Sequence, residues 1–344
     1  MEPKKIAIWV APLYAKNAVF DAASVLNRDN CLAGFRALKS TIEAAGSSCN
    51  TFDVYLAENT IPDAVLFLDI PLRPVNELLG KWADRVFKCV LLQEPETIVP
   101  QNWDFSLHKQ FDRILTWNDG LVDNKFYFKF NYGNVLPQSI PKDLSKKKNL
   151  CVVIAGHRKS AHPVELYSKR EEVIRWFEAH HPGEFDLYGR GWDEYLFQGP
   201  RLWRALNRIK FLRKILAPRF PSYRGEAARK LDVLGKYKFS VCYENNCGMP
   251  GYISEKIFDC FLAGCLPVYW GAPNIKEHIP QECFLDKREF HDYEALYKRM
   301  KEMTDAEYLS RLQAIETFLN SEKGRSFSVE RFAKTIADAL LGEI

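Results

Sequence analysis

Residues 238–280 are the stretch that most constrains the fold of this chain. An apolar run rich in β-formers, FSVCY, is followed by a polar loop of Asn, Gly and Pro. Apolar residues then recur at helical spacing between Ser254, a candidate N-cap, and Gly264, which is typical of the position after a helix C-terminus. A second apolar run, LPVYW, closes the stretch. The pattern predicts strand, loop, helix and strand, with the helix N-terminus beside a strand end, a place that favours phosphate binding.

Strand and helix patterns alternate along the rest of the chain, which predicts parallel sheets covered by helices. In the first half we predict strands over residues 6–10, 51–56, 64–70, 86–92 and 112–117, and helices over 32–45 and 75–82. Residues 125–133 alternate like an edge or hairpin strand. In the second half we predict strands over 149–155 and 185–188 and helices over 169–180, 227–237, 293–303, 306–319 and 329–341.

This order of elements predicts an α/β chain with two Rossmann-like domains that face each other. The polar and basic residues 137–148 include two prolines and are the best candidate for a linker. We therefore expect a first domain over residues 1–140 and a second over 141–325. We expect the last segment, 326–344, to form a helix that packs back on the first domain.

Composition excludes several classes of function. The net charge of +4 is too small to argue for a nucleic-acid partner, and no apolar run approaches the ~20 residues of a membrane span. The nine cysteines form no CxxC pair and no Cys/His cluster with zinc spacing, and we predict no metal dependence. An odd number of cysteines in hydrophobic segments is typical of free thiols in a reducing compartment, so we expect a cytoplasmic protein.

Residues 200–223 interrupt the alternation with seven Lys/Arg, no acidic residue and apolar side chains at helical spacing. One interpretation is an amphipathic element that lies on an anionic membrane surface or an acidic glycan. The protein would then be peripheral to the inner face of a membrane. The other is an ordinary helix whose apolar face packs on its domain while its arginines face water.

The residues at the predicted helix start could bind a nucleotide sugar. Lys256 could bind a diphosphate, Glu255 ribose hydroxyls, and Asn245 at the strand end a neutral group. The spacing alone favours the ordinary interpretation, in which Ser254 and Glu255 cap the helix and Lys256 is a surface lysine. The sequence has neither a phosphate loop of the GxxxxGK[ST] type nor a GxGxxG before a helix, which argues against ATPases and dehydrogenases.

Two further candidates follow other predicted strands. Glu94 or Glu96, at the end of the strand over residues 86–92, could be a general base, and Pro95 restricts the backbone between them. Arg170 near a helix start could bind a diphosphate through two hydrogen bonds. Arg158 and Lys159 fit a solvated loop better.

The stretch over residues 237–280 resembles the signature of the family 10 α-1,3/4-fucosyltransferases. The resemblance rests on Tyr243-Glu244-Asn245, on Tyr252-Ile-Ser-Glu-Lys256, and on the helix and Gly-x-Leu-Pro-Val segment that follow. Weaker similarity continues at Ser168-Lys-Arg170. Gln93-Glu94-Pro95 stands where the family usually has Gly-Glu-Asn.

The resemblance implies the GT-B architecture and an inverting transfer of fucose from GDP-fucose, without an essential metal or other cofactor. It implies that Glu94 is the general base and that Arg170 and Lys256 bind the diphosphate. Glu255 would bind the ribose. The donor site would also include Asn245, Tyr252 and Ser254.

The implied acceptor is a glycan of the GlcNAc or N-acetyllactosamine type, as in the Lewis-type structures of surface polysaccharide or lipopolysaccharide. Two alternatives stay open at this point. The chain could be a GT-B transferase that uses another nucleotide sugar. It could also be a non-catalytic α/β protein that binds a glycan or a membrane surface.

Overall fold

Two parallel β-sheets organise the computed structural model, which describes residues 2–197 and 199–344. The first sheet has the strand order β2-β1-β3-β4-β5-β6. Its strands are β1 (Lys5–Trp9), β2 (Ser48–Thr51), β3 (Ala64–Leu68), β4 (Phe87–Leu92), β5 (Arg113–Thr116) and β6 (Tyr127–Lys129). Neighbouring strands all pair in parallel, so the predicted edge strand near residue 127 forms, but not as a hairpin.

The second sheet has the order β11-β10-β9-β7-β8 and is also parallel throughout. Its strands are β7 (Asn149–Ile154), β8 (Phe185–Tyr188), β9 (Tyr237–Tyr243), β10 (Leu266–Trp270) and β11 (Leu285–Asp286). The chain builds outward from β7 in one direction to β8 and in the other to β9. The crevice between the ends of β7 and β9 is therefore the topological switch point of this sheet, where open α/β sheets bind ligands.

Helices cover both sheets. In the first domain they are α1 (Ala33–Ala44), α2 (Phe52–Ala57), α3 (Val75–Leu79) and α4 (Phe105–His108). In the second they are α5 (Tyr167–His180), α6 (Arg201–Ala205), α7 (Lys210–Ile215), α8 (Lys230–Leu234), α9 (Glu255–Leu262), α10 (Ile275–His278), α11 (Tyr293–Glu302), α12 (Asp305–Asn320) and α13 (Glu322–Arg325). The last helix is α14 (Val329–Leu341).

Central strands are buried on both faces, which explains why their sequences are continuously apolar. In β3, for example, Val65, Leu66 and Phe67 have no exposed surface. Separate apolar cores lie on the two faces of the first sheet, and one large core surrounds the second.

Helix α14 follows the second domain in sequence but packs on the first. Its Phe332, Ile336 and Leu340 belong to the same apolar core as Ile6 and Leu91 of the first sheet. Where the chain returns, Asn134 N donates to the carbonyl of Phe327 at 2.8 Å, and Val329 N donates to the carbonyl of Asn134 at 3.0 Å. The two connections between the domains are thus hydrogen-bonded to each other.

A polar network also joins the domains. Asp119 of the first domain accepts hydrogen bonds from Lys129 Nζ at 2.6 Å and from Asn274 Nδ2 at 2.8 Å. His278 Nε2 lies 2.7 Å from Asp119 Oδ2, the oxygen that also accepts from Asn274. Although burial opposes ionisation, these partners lower the pKa of Asp119 well below its ordinary value. The domains are therefore connected by a charged group that stays ionised.

The strand that we predicted over residues 51–56 is wrong. The strand ends at Thr51, whose N–H donates to Asn17 Oδ1 at 2.8 Å, and helix α2 begins at the next residue. Phe52 and Tyr55 are buried whereas Leu56 is exposed, so the buried positions are three apart, as on a helix face. The alternation of apolar residues was the misleading signal.

The helix that we predicted over residues 227–237 is limited to α8. Arg229 is extended (φ −136°, ψ 125°), and the N–H of Lys230 donates to Asp29 Oδ1 of the first domain at 3.1 Å. The start of this helix is thus set by a residue about two hundred positions away, which no local pattern reveals.

The basic segment, residues 200–223, forms two short helices, α6 and α7, rather than one. Several of its apolar side chains are exposed, which argues against the alternative in which its apolar face packs on the domain. Among the described residues, no helix combines the length and the apolar composition of a membrane span.

Candidate functional site between the domains

A cavity of about 250 Å³ lies at the switch point of the second sheet and faces the first domain. All seven site residues predicted from the sequence line it: Glu94, Arg170, Asn245, Tyr252, Ser254, Glu255 and Lys256. Ala155 and Gly156 after β7, together with Ile98, Tyr132 and Arg158, complete its wall. Residues spread over more than 160 positions of sequence therefore meet in one place.

The N-terminus of α9 forms one side of the cavity. Ser254 is the N-cap, as predicted, and its Oγ accepts from the N–H of Lys256 at 3.4 Å. Gly264 ends the helix with φ +60°, and a Cβ at this position would lie 2.0 Å from the carbonyl oxygen of Pro141. Only glycine fits there, which fixes where α9 ends and how it meets the linker.

Glu244, at the end of β9, holds this helix start and was not among the predicted site residues. Its carboxylate is fully buried and accepts from Ser254 N at 2.8 Å and from Ser254 Oγ at 2.8 Å. Lys256 Nζ donates to Glu244 Oε2 at 3.2 Å. Although burial opposes the charged amine, Glu244 and Glu255 raise the pKa of Lys256 above its ordinary value, so this cation persists at every physiological pH.

Glu255 points into the open cleft, where about half of its side chain is accessible. Its carboxylate lies 3.9 Å from both Lys256 Nζ and Lys230 Nζ. Partial burial of the carboxylate disfavours its ionisation, but the positive charges of Lys256 and Lys230 outweigh this effect. They lower the pKa of Glu255 to about 2. Glu255 is thus an ionised acceptor with free lone pairs.

A second, larger cavity of about 600 Å³ adjoins the first, and Tyr132 and Glu255 line both. The larger one lies between α1 and the linker on one side and α8 and α9 on the other, with Lys230 and Asp259 in its wall. Glu255 therefore stands at the junction of the two spaces.

Arg170, in the first turn of α5, is buried and binds the end of β9. Its Nη2 donates to the carbonyls of Tyr243 at 2.6 Å and Glu244 at 2.7 Å, and to Asn245 Oδ1 at 3.1 Å. Its hydrogen bonds use Nε and Nη2, which leaves Nη1 for a ligand in the cavity. The sequence did not indicate this bond between a helix start and a strand end.

Tyr252 connects the two sides of the site. Its hydroxyl accepts from Asn245 Nδ2 at 3.1 Å, and its ring lies 4.6 Å from that of Trp117 in the first domain. Burial, followed by the charges of Glu244 and Glu94, raises the pKa of Tyr252 well above its ordinary value. Its hydroxyl stays protonated and orients Asn245.

Glu94 enters the cavity from the first domain, immediately after β4. Asp69 Oδ1 accepts from the N–H groups of Gln93 at 2.6 Å and Glu94 at 3.0 Å, and the carbonyl of Glu94 accepts from Asn102 Nδ2 at 3.0 Å. Burial, together with the negative charge of Asp69, raises the pKa of Glu94 to about 7. A carboxylate of this kind is matched to proton transfer near neutral pH.

Glu96, the other candidate for the base, is directed elsewhere. It is exposed and lies 3.1 Å from His162 Nε2 of the second domain, and it does not line the cavity. Arg158, which the sequence suggested to be a solvated loop residue, does line it. Its charge acts on Glu94 from the opposite side of the cavity.

No group of three or more potential metal-ligating side chains occurs among residues 2–197 and 199–344. The positive groups that face the cavity are instead Lys256, Arg170 and Arg158, in addition to the N–H groups of α9. This arrangement can bind a diphosphate through protein cations alone.

Comparison with known families gives this site a context. Residues 144–313 match the model of glycosyltransferase family 10 (fucosyltransferase), C-terminal part. The second half of the chain is thus similar to the C-terminal part of this family. The matched residues include β7 to β11, and with them every predicted donor-binding residue from Arg170 to Lys256.

Curated relatives of the family 10 domain are similar over limited segments. An α-(1,3)-fucosyltransferase of Helicobacter pylori is 30% identical over 112 residues, which is 31% of this chain and 23% of that protein. The mouse 4-galactosyl-N-acetylglucosaminide 3-α-L-fucosyltransferase 9 is 25% identical over 161 residues, 46% of this chain and 34% of that protein. The chain thus matches less than half the length of these relatives.

Solved structures are similar over nearly the whole chain. The crystal structure of an α1,3-fucosyltransferase superposes with a TM-score of 0.60 and 14% identity, covering 99% of this chain and 91% of the other. The Anabaena protein HepE, in complex with UDP and glucose, superposes with a TM-score of 0.58 and 12% identity, covering 98% and 100%. Together with the two facing parallel sheets, these similarities confirm the predicted GT-B fold.

Proposed function

We propose that this protein is an inverting fucosyltransferase that moves fucose from GDP-fucose to a hydroxyl of a GlcNAc-type glycan, in α-1,3 or α-1,3/4 linkage. The observation that carries this proposal is the shared cavity. It combines a carboxylate of the first domain whose pKa is about 7 with the cations at the second domain's strand ends. The family 10 match and the fucosyltransferase relatives support fucose as the sugar.

In this mechanism Glu94 accepts the proton of the acceptor hydroxyl. The oxygen of that hydroxyl attacks the anomeric carbon of fucose as the bond to the diphosphate breaks. Lys256, Arg170 Nη1 and Arg158 stabilise the negative charge that develops on the departing diphosphate. A single displacement of this kind inverts the anomeric carbon and needs no covalent intermediate with the protein.

The donor would occupy both cavities. The smaller one holds the diphosphate and fucose beside Glu94 and Lys256. Glu255, at the junction, accepts from the ribose hydroxyls, and the nucleoside extends into the larger cavity. Asn245, Tyr252 and Ser254 complete this binding site. No divalent metal is required, so transfer should continue in the presence of EDTA.

Thermal shift with GDP and with UDP tests the nucleotide, because only a ligand of the folded state raises the melting temperature. We expect a rise with GDP and little change with UDP. The reverse result would favour a GT-B transferase for another nucleotide sugar. A response to neither nucleotide, together with binding of glycans, would favour a non-catalytic protein.

Transfer assays with paired variants test the base. Glu94→Gln should abolish transfer from GDP-fucose while GDP still raises the melting temperature. Glu96→Gln, in the same loop, is the matched control and should keep near-normal activity. Full activity of Glu94→Gln would overturn the assignment.

The acceptor and the cellular location belong to the same proposal. The name of the mouse relative, a 4-galactosyl-N-acetylglucosaminide fucosyltransferase, supports an N-acetyllactosamine-type acceptor. Surface polysaccharide or lipopolysaccharide would then carry the product, and a glycan array incubated with GDP-fucose would identify it. Free thiols at all nine cysteines, of which seven are buried, support a cytoplasmic location.

A further inference from the structure

The basic segment exposes large apolar side chains to water. Leu202 and Trp203 on α6 are 85% and 58% exposed, and Phe211 and Ile215 on α7 are 75% and 62% exposed. Ile209 and Leu216 are also exposed. An exposed apolar group of this size, confined to one short segment, is typical of an interaction surface.

Hydrogen bonds and a buried anchor hold the segment in this exposed arrangement. Asn207 pairs with the backbone of Phe197 through two hydrogen bonds of 2.9 Å. The N–H of Tyr195 donates to the carbonyl of Arg213 at 2.7 Å. Phe220, at the end of the segment, is buried with its ring 5.0 Å from that of Trp192. The polar contacts thus fix the two helices while their apolar side chains stay outside the core.

Positive charge surrounds these apolar side chains. The segment has seven Lys/Arg and no Asp or Glu. Arg213 pairs with Glu194 at 2.6 Å, whereas the structure, over the residues it describes, shows no ion pair for the other six. These are Arg201, Arg204, Arg208, Lys210, Lys214 and Arg219. On α7, Phe211 and Ile215 are four residues apart on one helix face, and Lys210 and Lys214 occupy the neighbouring face.

We propose that the basic segment binds the surface of an anionic lipid bilayer. An acidic glycan or acidic peptide would satisfy the charges but would leave Trp203, Phe211 and Ile215 in water. A bilayer interface satisfies both, since the apolar side chains enter the boundary of the acyl chains while the lysines and arginines contact lipid phosphates. None of these residues lines either cavity, so this surface is separate from the candidate transferase site.

Vesicle co-sedimentation of the full chain tests the proposal without any activity assay. We expect binding to vesicles of phosphatidylcholine mixed with phosphatidylglycerol, and little binding to pure phosphatidylcholine. Added salt should weaken the binding. Lys210→Glu with Lys214→Glu should weaken it more than about 25-fold, because each removed cation lowers affinity about fivefold.

Phe211→Ser with Ile215→Ser should weaken binding at unchanged charge. The matched control is Leu72→Ser with Val25→Ser, two apolar side chains that are 90% and 96% exposed outside the segment. This control should bind like the parent chain. Trp203→Phe should remove the blue shift of tryptophan emission that vesicles produce, and unchanged melting temperatures would show that the variants fold.

Absence of binding to the anionic vesicles would overturn the proposal. So would binding that the Phe211 and Ile215 substitutions leave unchanged, since charge alone would then explain it. Equal binding to a soluble polyanion such as heparin, with the same indifference to these two side chains, would assign the segment to an acidic polymer instead.

Discussion

Lys256 Nζ lies 3.2 Å from Glu244 Oε2, and this carboxylate is completely buried behind the N-terminus of α9. The ion pair means that the main cation of the candidate site is positioned before any ligand arrives. It also couples stability to binding, because a buried carboxylate without its cation is strongly destabilising.

The first prediction separates these two roles of Lys256. Lys256→Met should lower the free energy of unfolding by about 3–5 kcal/mol, since Glu244 then lacks its partner. The double variant Glu244→Gln with Lys256→Met should recover most of that loss but should still fail to bind GDP. Urea unfolding and calorimetric titration measure the two effects. A Lys256→Met protein as stable as the parent would contradict the coupling.

The second prediction is that ionisation of the buried Glu94 lowers the free energy of unfolding. Its pKa in the folded protein is about 7, above the ordinary value, so the folded state holds this proton more tightly than the unfolded state does. Stability therefore falls as pH rises from about 4.5 to about 7. At pH 8 Glu94→Gln should be more stable than the parent by about 1–3 kcal/mol, and below pH 4 the two should be equal. Equal melting temperatures at pH 8 would show that Glu94 is not disfavoured by burial.

The third prediction concerns Asp69 as a positioning residue for Glu94. Transfer should fall as pH decreases through about 7, because a general base must be deprotonated. After burial, the charge of Asp69 is the next cause of the raised pKa of Glu94, whereas Lys256 and Arg158 oppose it. Asp69→Asn should therefore move the acid limb of kcat/KM to lower pH.

The control for this experiment is Glu96→Gln, which should leave the acid limb in place because Glu96 faces His162 instead. A purely structural role of Asp69 predicts a different result, namely lower activity at every pH with no shift of the limb.

The fourth prediction concerns the contact between the domains at Asp119. Asp119→Asn keeps the size of the side chain but leaves Lys129 without its charged partner at 2.6 Å. We expect a loss of about 1–3 kcal/mol in the free energy of unfolding and a larger radius of gyration by X-ray scattering. Asp84→Asn, at an exposed position, should change neither quantity. An unchanged radius of gyration would mean that this network does not hold the two domains together.

Local signals made much of the second domain predictable. The limits of α9 follow from Ser254 and Gly264, which are a cap and a left-handed residue that act within one turn of the helix. The members of the site were identified through family resemblance, since spacing alone favoured helix capping as the role of Ser254 and Glu255. The sequence could not predict contacts between residues that are far apart along the chain. Asp29 sets the start of α8 from the other domain, and Asp69 orients Glu94 from a neighbouring strand.

Glu244 and Arg158 show the same limit at the site itself. A glutamate after a strand is ordinarily a solvated loop residue, and only the position of α9 makes Glu244 a buried partner of Lys256. Arg158 is exposed, and it becomes part of the site because the first domain places Glu94 across the cavity from it. The burial of a side chain and the charges around it depend on the folded protein with both domains in place. They cannot be read from the sequence of either half alone.

The return of α14 to the first domain means that this domain cannot complete its core early in synthesis. Strands β1 to β6 are synthesised first, yet the core against which they pack includes Phe332, Ile336 and Leu340. Gly34 of α1 and Gly133 after β6 both lie against Phe332, so these two positions leave room in the first domain for this helix. During translation, one apolar face of the first sheet therefore stays uncovered until the second domain has been synthesised and α14 can pack on it.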